Sequence, residues 1–383
     1  MDDFIYQKKE KIRNINRVYW YISQNKFFTK KEISTSLKIS FPTVTKIINL
    51  LLEKKIVIDK GFSENSIKRK ATLYEYNPNS FYSVGIKLEL SSISFILINL
   101  NGDEIKKTVI IKDFFRDENF VFYIIEEVKL FLKGFPFKEL ITGIGIALSG
   151  IVDNKNKILK IGTNFKIFEK SLKIIENNLN LPIYLINEAN AGAIGEFFLN
   201  KICETSNMAF ISIDSGIGAG IVIDGSLYKG HFSKAGEFGH FTVENNGLEC
   251  NCGNKGCLEM YCSNRALVNS FKKEFNLSDL SFIEIFSKNL ANTEKGKEIL
   301  DKYTDYLAIG IKNILFLLDL DKIIIGGLIS NYSQYIQNDL EKKVFNNIFL
   351  KDKTILEFSK YSDSSNLIGA AFLPFNNLFI NLF

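Results

Sequence analysis

The chain of 383 residues has only five cysteines and two histidines. Cysteine this sparse cannot staple a disulfide scaffold. Long apolar runs are also missing. The stretch 313–330 is broken by Asp319, Asp321 and Lys322, so no segment is expected to span a bilayer. The opening residues Met1-Asp2-Asp3-Phe4 lack the charged-then-apolar pattern of a secretion signal. A cytoplasmic location is therefore expected, with reducing conditions that suit metal-binding thiols. A large charge excess is absent too: a net of +5 is by itself no argument for nucleic acid. What is present is 46% apolar and 24% charged residues, which excludes disorder and collagen-like repeats. The length exceeds the roughly 250–300 residues at which one core stops growing, so two or three domains are expected.

The charge is unevenly spread. Residues 1–77 hold 16 Lys and Arg against 8 Asp and Glu, a net of +8, which leaves −3 for the rest. Such asymmetry suggests an anionic partner for the first module, or else a solvated lysine-rich face. Ile15, Val18, Tyr19 and Ile22 share one side of a helix over 13–24. Thr29 and Glu32 match a capping box for a second helix, which runs to about Leu37. After Lys38-Ile39-Ser40, Ser40 caps a third helix with Pro42 in its first turn. Two short helices with a tight turn read as a helix-turn-helix. The third helix would present Ser40, Thr43, Thr45, Lys46 and Asn49 to base edges and phosphates. Strands at 56–58 and 72–76 then flank a loop with Lys68, Arg69 and Lys70, a wing with a basic tip. DNA is the expected partner; a module that binds protein is the other reading.

After Asn77-Pro78 the pattern changes. Strands are expected across 83–100 and 104–112, a helix at 117–133, and an apolar strand at 142–148. A second series begins near Met208, with strands at 208–214 and 219–224, helices from about Leu258, and a strand at 322–326. Three antiparallel strands followed by helix–strand units, twice over, resembles the duplicated ribonuclease H-like fold of sugar kinases and actin. The turn Asp214-Ser215-Gly216-Ile217-Gly218-Ala219-Gly220 is rich in glycine, as phosphate-cradling turns and tight hairpins both are. Gly326-Gly327 is similar.

Four cysteines fall within thirteen residues, and His240, Cys250, Cys252 and Cys257 have the makings of a tetrahedral structural zinc site. Three unliganded core cysteines are the alternative. Redox use is disfavoured because no helix opens at Cys250-x-Cys252 to lower a thiol pKa. Four protein ligands close the site, so the zinc is expected to be structural. Cys262 and Cys203 lie outside this spacing and read as small buried residues.

Gly236-Glu-Phe-Gly-His240, followed by Cys-Asn-Cys-Gly-Asn-Lys-Gly-Cys-Leu-Glu259, resembles the signature of the ROK family of repressors and sugar kinases. Asn187-Glu188-Ala189-Asn190-Ala191, Ser215–Gly220 and Gly326-Gly327 follow the family's order. With the winged helix, the chain looks most like the family's xylose-repressor branch. The resemblance implies that Asn187 and Glu188 contact sugar hydroxyls. It also implies that Glu237, His240 and Glu259 complete the pocket, with Asn164 a further candidate. His240 would then serve both metal and sugar, a coupling that makes recognition depend on a rigid ring.

The chain departs from the family's kinases in three places. Lys87-Leu88-Glu89-Leu90-Ser91 stands where their Asp-x-Gly-x-Thr phosphate loop would be. Glu188 replaces the catalytic Asp, and its extra methylene displaces the carboxylate by about 1 Å. Gly326-Gly327-Leu328 lacks a third glycine. The expectation is therefore a non-enzymatic regulator, most like a repressor of sugar-utilisation genes. Its parts would be a mostly α winged helix-turn-helix (1–77) and a two-lobed, sugar-kinase/actin-like α/β body. The first lobe would be 78–200 with the C-terminal helix 364–383, and the second 201–363. Operator DNA, a monosaccharide effector in the inter-lobe cleft (xylose first, glucose second) and a homodimer or homotetramer are the implied partners. The alternatives are an ATP-dependent sugar kinase with a fused DNA-binding domain, and a regulator whose winged helix docks a protein.

Overall fold

The computed structural model describes residues 2–62, 71–89, 92–112, 119–162, 167–200, 206–350, 354–362 and 364–381. Lys68, Arg69, Lys70, Asn164 and Cys203, with Leu90 and Ser91, lie outside the described residues. The chain divides into two compact units. Unit 1 holds residues 1–148, 153–186 and 370–383; unit 2 holds 149–152 and 187–369. Among the described residues no helix is long and apolar enough to cross a membrane.

Unit 1 starts with α1 (Asp2–Gln24), β1 (Phe27–Phe28), α2 (Lys30–Leu37), α3 (Phe41–Glu53), β2 (Val57–Phe62) and β3 (Thr72–Tyr76). The caps act where the sequence puts them. Thr29 accepts from the Glu32 amide while Glu32 reaches back to the Thr29 amide. Lys38 ends α2 with φ 53°, and Ser40 caps α3. Ile15, Val18, Ile22, Ile33, Val44, Ile48 and Leu51 are fully buried and make the three-helix core. The wing strands pair in the order β1-β3-β2.

In the division into two units this module groups with the first sheet of the body. The two are joined by packing at the module's exit. Tyr19 is buried, donates to the Leu100 carbonyl and lies 4.5 Å from the Phe379 ring. Asn99 donates to Asn79 at 3.0 Å, and the Leu100 amide donates to the Pro78 carbonyl.

The remainder of unit 1 is built on β4 (Tyr82–Leu88), β5 (Ser92–Asn99), β6 (Glu104–Ile111), α4 (Phe120–Phe131), β7 (Ile141–Leu148), β9 (Ile158–Gly162), β10 (Ile167–Ser171), α5 (Lys173–Leu179) and β11 (Ile183–Asn187), while β8 (Ile151–Asp153) has its first two residues in unit 2. Its five-stranded sheet has the order β11-β7-β4-β5-β6. β4, β5 and β7 are covered on both faces, which is why they read as near-continuous apolar runs. The antiparallel pair β9–β10 was not legible in the sequence.

Unit 2 contains α6 (Glu188–Leu199), β12 (Met208–Ile213), β13 (Ile217–Ile223), β14 (Ser226–Leu227), α7 (Glu259–Cys262), α8 (Asn264–Glu274), α9 (Phe282–Ser287), α10 (Glu294–Leu318), β15 (Lys322–Gly326), α11 (Gln337–Val344) and β16 (Ile355–Phe358). The last helix, α12 (Ser364–Asn381), begins in unit 2 and ends in unit 1. The sheet order β14-β13-β12-β15-β16 repeats that of unit 1. In each, the first strand pairs antiparallel with the second and parallel with a later one. This is the duplicated ribonuclease H-like topology expected of the body. Helix α6 belongs to unit 2, where it packs on β12 and β13. Replacing Thr29 by Ala removes a satisfied cap and is expected to cost the N-terminal module about 1 kcal/mol. Hydrogen exchange of the α2 amides tests this; unchanged protection would contradict it.

Candidate metal centre and sugar-binding residues

The segment after β14 has little regular structure of its own. Phe238 is buried beside the Gly310 turn of α10, and a single 3₁₀ turn, Phe238–His240, presents the imidazole. The chain then folds back on itself through two isolated bridges, Thr242 with Cys257 and Glu249 with Lys255. Gly256, at φ 74°, passes so close to the Glu244 carbonyl that a Cβ would lie 1.7 Å from it.

That path gathers His240, Cys250, Cys252 and Cys257, with ligand atoms all within 4.8 Å of one another. Cys252 Sγ is 3.7 Å from Cys257 Sγ, and Cys250 Sγ is 3.7 Å from His240 Nδ1. A tetrahedron with metal–sulfur bonds of about 2.3 Å has edges of about 3.8 Å, so these spacings fit zinc. Cys262, by contrast, is buried in the hydrophobic core and donates to the Tyr303 carbonyl.

The imidazole faces two ways. Nδ1 points to the thiols and lies 3.8 Å from Glu259 Oε1, while Nε2 lies 3.8 Å from Glu237 Oε2. Glu259 is mostly covered, at 13% side-chain exposure, whereas Glu237 is open to solvent at 48%. Glu237 titrates above its ordinary value, raised by partial desolvation and pulled back by His240. Three of the sequence-predicted sugar residues thus form one polar edge beside the metal ligands.

Asn187 and Glu188 sit at the start of α6. The Asn187 side chain caps the helix, accepting from the Ala189 and Asn190 amides and donating to the Gly150 carbonyl at 3.0 Å. Glu188 accepts from the Ser149 hydroxyl at 2.6 Å and from Asn366 Nδ2 at 3.1 Å. Sequence reasoning missed Ser149 and Asn366; no local pattern marks them, since they lie 39 and 178 positions from Glu188.

Strand β13 links the two groups. A Cβ at Gly218 would lie 3.1 Å from Ala189 Cβ, and one at Gly220 would lie 2.4 Å from the Ala189 carbonyl. The other side of the strand's start meets the Gly236 and Gly239 backbone, and the preceding Gly216 meets Glu259. Of the two readings of 214–220, a phosphate-cradling turn or a tight hairpin, the structure has the hairpin of β12 and β13. Only Asp214–Gly216 is turn, and the later glycines are strand residues that let α6 approach.

On α3, Ser40, Lys46 and Asn49 are exposed and Thr43 is half-buried. Ser40 and Thr43 hydroxyls share a 2.8 Å bond, and Asn49 accepts from Lys30. Thr45 is also half-buried, and its hydroxyl is shielded from solvent.

The family model described as the ROK family matches residues 84–376. The chain is 30% identical over 340 residues to the xylose repressor of Bacillus spizizenii, covering 86% of this chain and 85% of that protein. It is 27% identical over 377 residues to the xylose repressor of Caldicellulosiruptor bescii, covering 94% of each. A solved ROK family transcriptional regulator, described as a homolog of the E. coli MLC protein, shares the fold with a TM-score of 0.80 at 22% identity, over 97% of both chains.

Burial raises the Cys250 and Cys257 thiols above their ordinary value when no metal is bound. Metal uptake must displace those protons, so apparent zinc affinity should fall about a hundredfold per pH unit below neutrality. Chelator competition across pH 5.5–7.5 measures this, and a flat profile would contradict it. Cys252→Ser should also lose stoichiometric zinc; metal analysis showing one ion per chain would remove Cys252 from the ligand set.

Proposed function

The chain belongs to the ROK family, and from that premise we propose that it is a sugar-responsive transcriptional repressor of sugar-utilisation genes. One observation carries the reading. The family model begins at residue 84, yet the likeness to the Caldicellulosiruptor bescii repressor covers 94% of this chain and so extends into the helix-turn-helix module. The proposed partners are operator DNA, a second copy of the chain and an aldose, with xylose first and glucose second. The proposed location is the cytoplasm.

The effector reading rests on donor and acceptor chemistry. Each sugar hydroxyl both donates and accepts, and Asn187, Glu188, Glu237, His240 and Glu259 offer matching groups. A zinc ion held by His240, Cys250, Cys252 and Cys257 would fix the imidazole and have no open position for chemistry. An aldose shifts DNA affinity only if it binds one conformation of the body better than another.

Phosphoryl transfer finds little support. The buried Lys87 makes a 2.9 Å ion pair with Glu89, which also accepts from Ser92 at 2.8 Å. That carboxylate would repel a nucleotide phosphate. The Glu188 carboxylate is already engaged by the Ser149 hydroxyl and the Asn366 amide.

Thermal-shift screening against aldoses should show stabilisation by xylose or glucose, because a ligand stabilises the state it binds. Duplexes from the chain's own upstream region should be retarded in gels, and the aldose should change that affinity. Lys46→Ala should weaken binding across sequences and reduce the salt slope by about 1. Coupled assays with ATP and an aldose panel should give no turnover above background. Turnover in the pure protein, or absence of any salt-sensitive shift, would overturn the proposal.

A further inference from the structure

We propose that Asn366 and Ser149 are positioning residues, which hold the Glu188 carboxylate as a fixed acceptor for a ligand hydroxyl. The inference rests on the reading of Glu188 as a sugar-binding residue, and it adds two residues to that site.

The first turn of α12 is pressed against α6. A Cβ on Gly195 would lie 2.0 Å from the Ser365 carbonyl, and one on Gly369 would lie 1.8 Å from the Ala191 carbonyl. Backbone contact this close leaves no freedom in register. It delivers Asn366, only 2% exposed, to Glu188 and to Gly192 one turn further along α6. The amide orientation follows from chemistry, since an ionised carboxylate accepts only, so Nδ2 must face it. Ser149 approaches the other oxygen, and the Asn187 bond to Gly150 ties the same loop to the same helix start.

The arrangement also carries a cost: among the described residues the Asn366 Oδ1 is buried without a hydrogen-bond partner. Ser149 and Asn366 donate to different oxygens and so set the plane of the Glu188 carboxylate. A ligand group that reaches this carboxylate must itself donate, as a sugar hydroxyl does.

The test uses full-length, zinc-loaded protein and calorimetry with xylose and glucose. Asn366→Leu removes the donor and the unmet acceptor together. Aldose affinity should fall about tenfold, while the melting temperature without sugar holds or rises. Ser149→Ala should weaken binding to a similar extent, and Ser149→Thr, which keeps the hydroxyl, should bind as the unaltered chain does. Operator affinity without aldose should not change in any of them; a purely structural role would move stability and affinity together. Unchanged aldose affinity in both Asn366→Leu and Ser149→Ala, alongside loss in Glu188→Ala, would overturn this proposal alone. No aldose binding by the unaltered chain, or full binding by Glu188→Ala, would defeat the reading of Glu188 and this proposal with it.

Discussion

One imidazole ring holds the body's chemistry together. His240 turns Nδ1 toward three thiols and Nε2 toward Glu237, and it does so from a short turn anchored by the buried Phe238. Between His240 and Cys257 the backbone makes two isolated bridges and a few turn hydrogen bonds. No sheet or helix supports that stretch, so a bound metal would take the place of a packed core. Structural zinc sites of this donor set contribute on the order of 10 kcal/mol to the fold that forms them. The same ion would hold the ring still, and a ring that cannot rotate presents its second nitrogen in one direction.

Strand β13 sets the second constraint. Its glycines leave room for α6, while Gly236 and Gly239 lie against the Ala219 and Ile217 carbonyls of the same strand. Side chains at Gly218 or Gly220 would push away the helix that carries Asn187 and Glu188. On the proposed reading, the body keeps the groups that recognise hydroxyls and has lost those that hold a nucleotide. Glu89, drawn into an ion pair with Lys87, is the clearest sign of that loss.

The sequence made some of this legible for local reasons. Thr29 with Glu32, and Ser40 with Pro42, are signals that act within one helical turn, so the helix-turn-helix could be read directly. The metal ligands were legible because three lie within eight residues and one of only two histidines precedes them. Long-range relations were not. Ser149 and Asn366 reach Glu188 through the fold, and neither belongs to a recognisable spacing. Gly218 and Gly220 looked like a turn because glycine signals close approach without saying what approaches. Helix α6 follows β11 without a break in the sequence, and it is packing on β12 and β13 that assigns it to unit 2.

The account joins three elements: a DNA-reading module, an aldose site and a metal that keeps the site rigid. One titration addresses all three. Binding of an upstream operator duplex is followed by fluorescence anisotropy as xylose or glucose is added, once with zinc-loaded protein and once after chelation. The account predicts that the loaded protein changes its operator affinity on adding the aldose, and that the stripped protein still binds DNA but no longer responds. An equal response before and after zinc removal, or no response from the loaded protein, would contradict it.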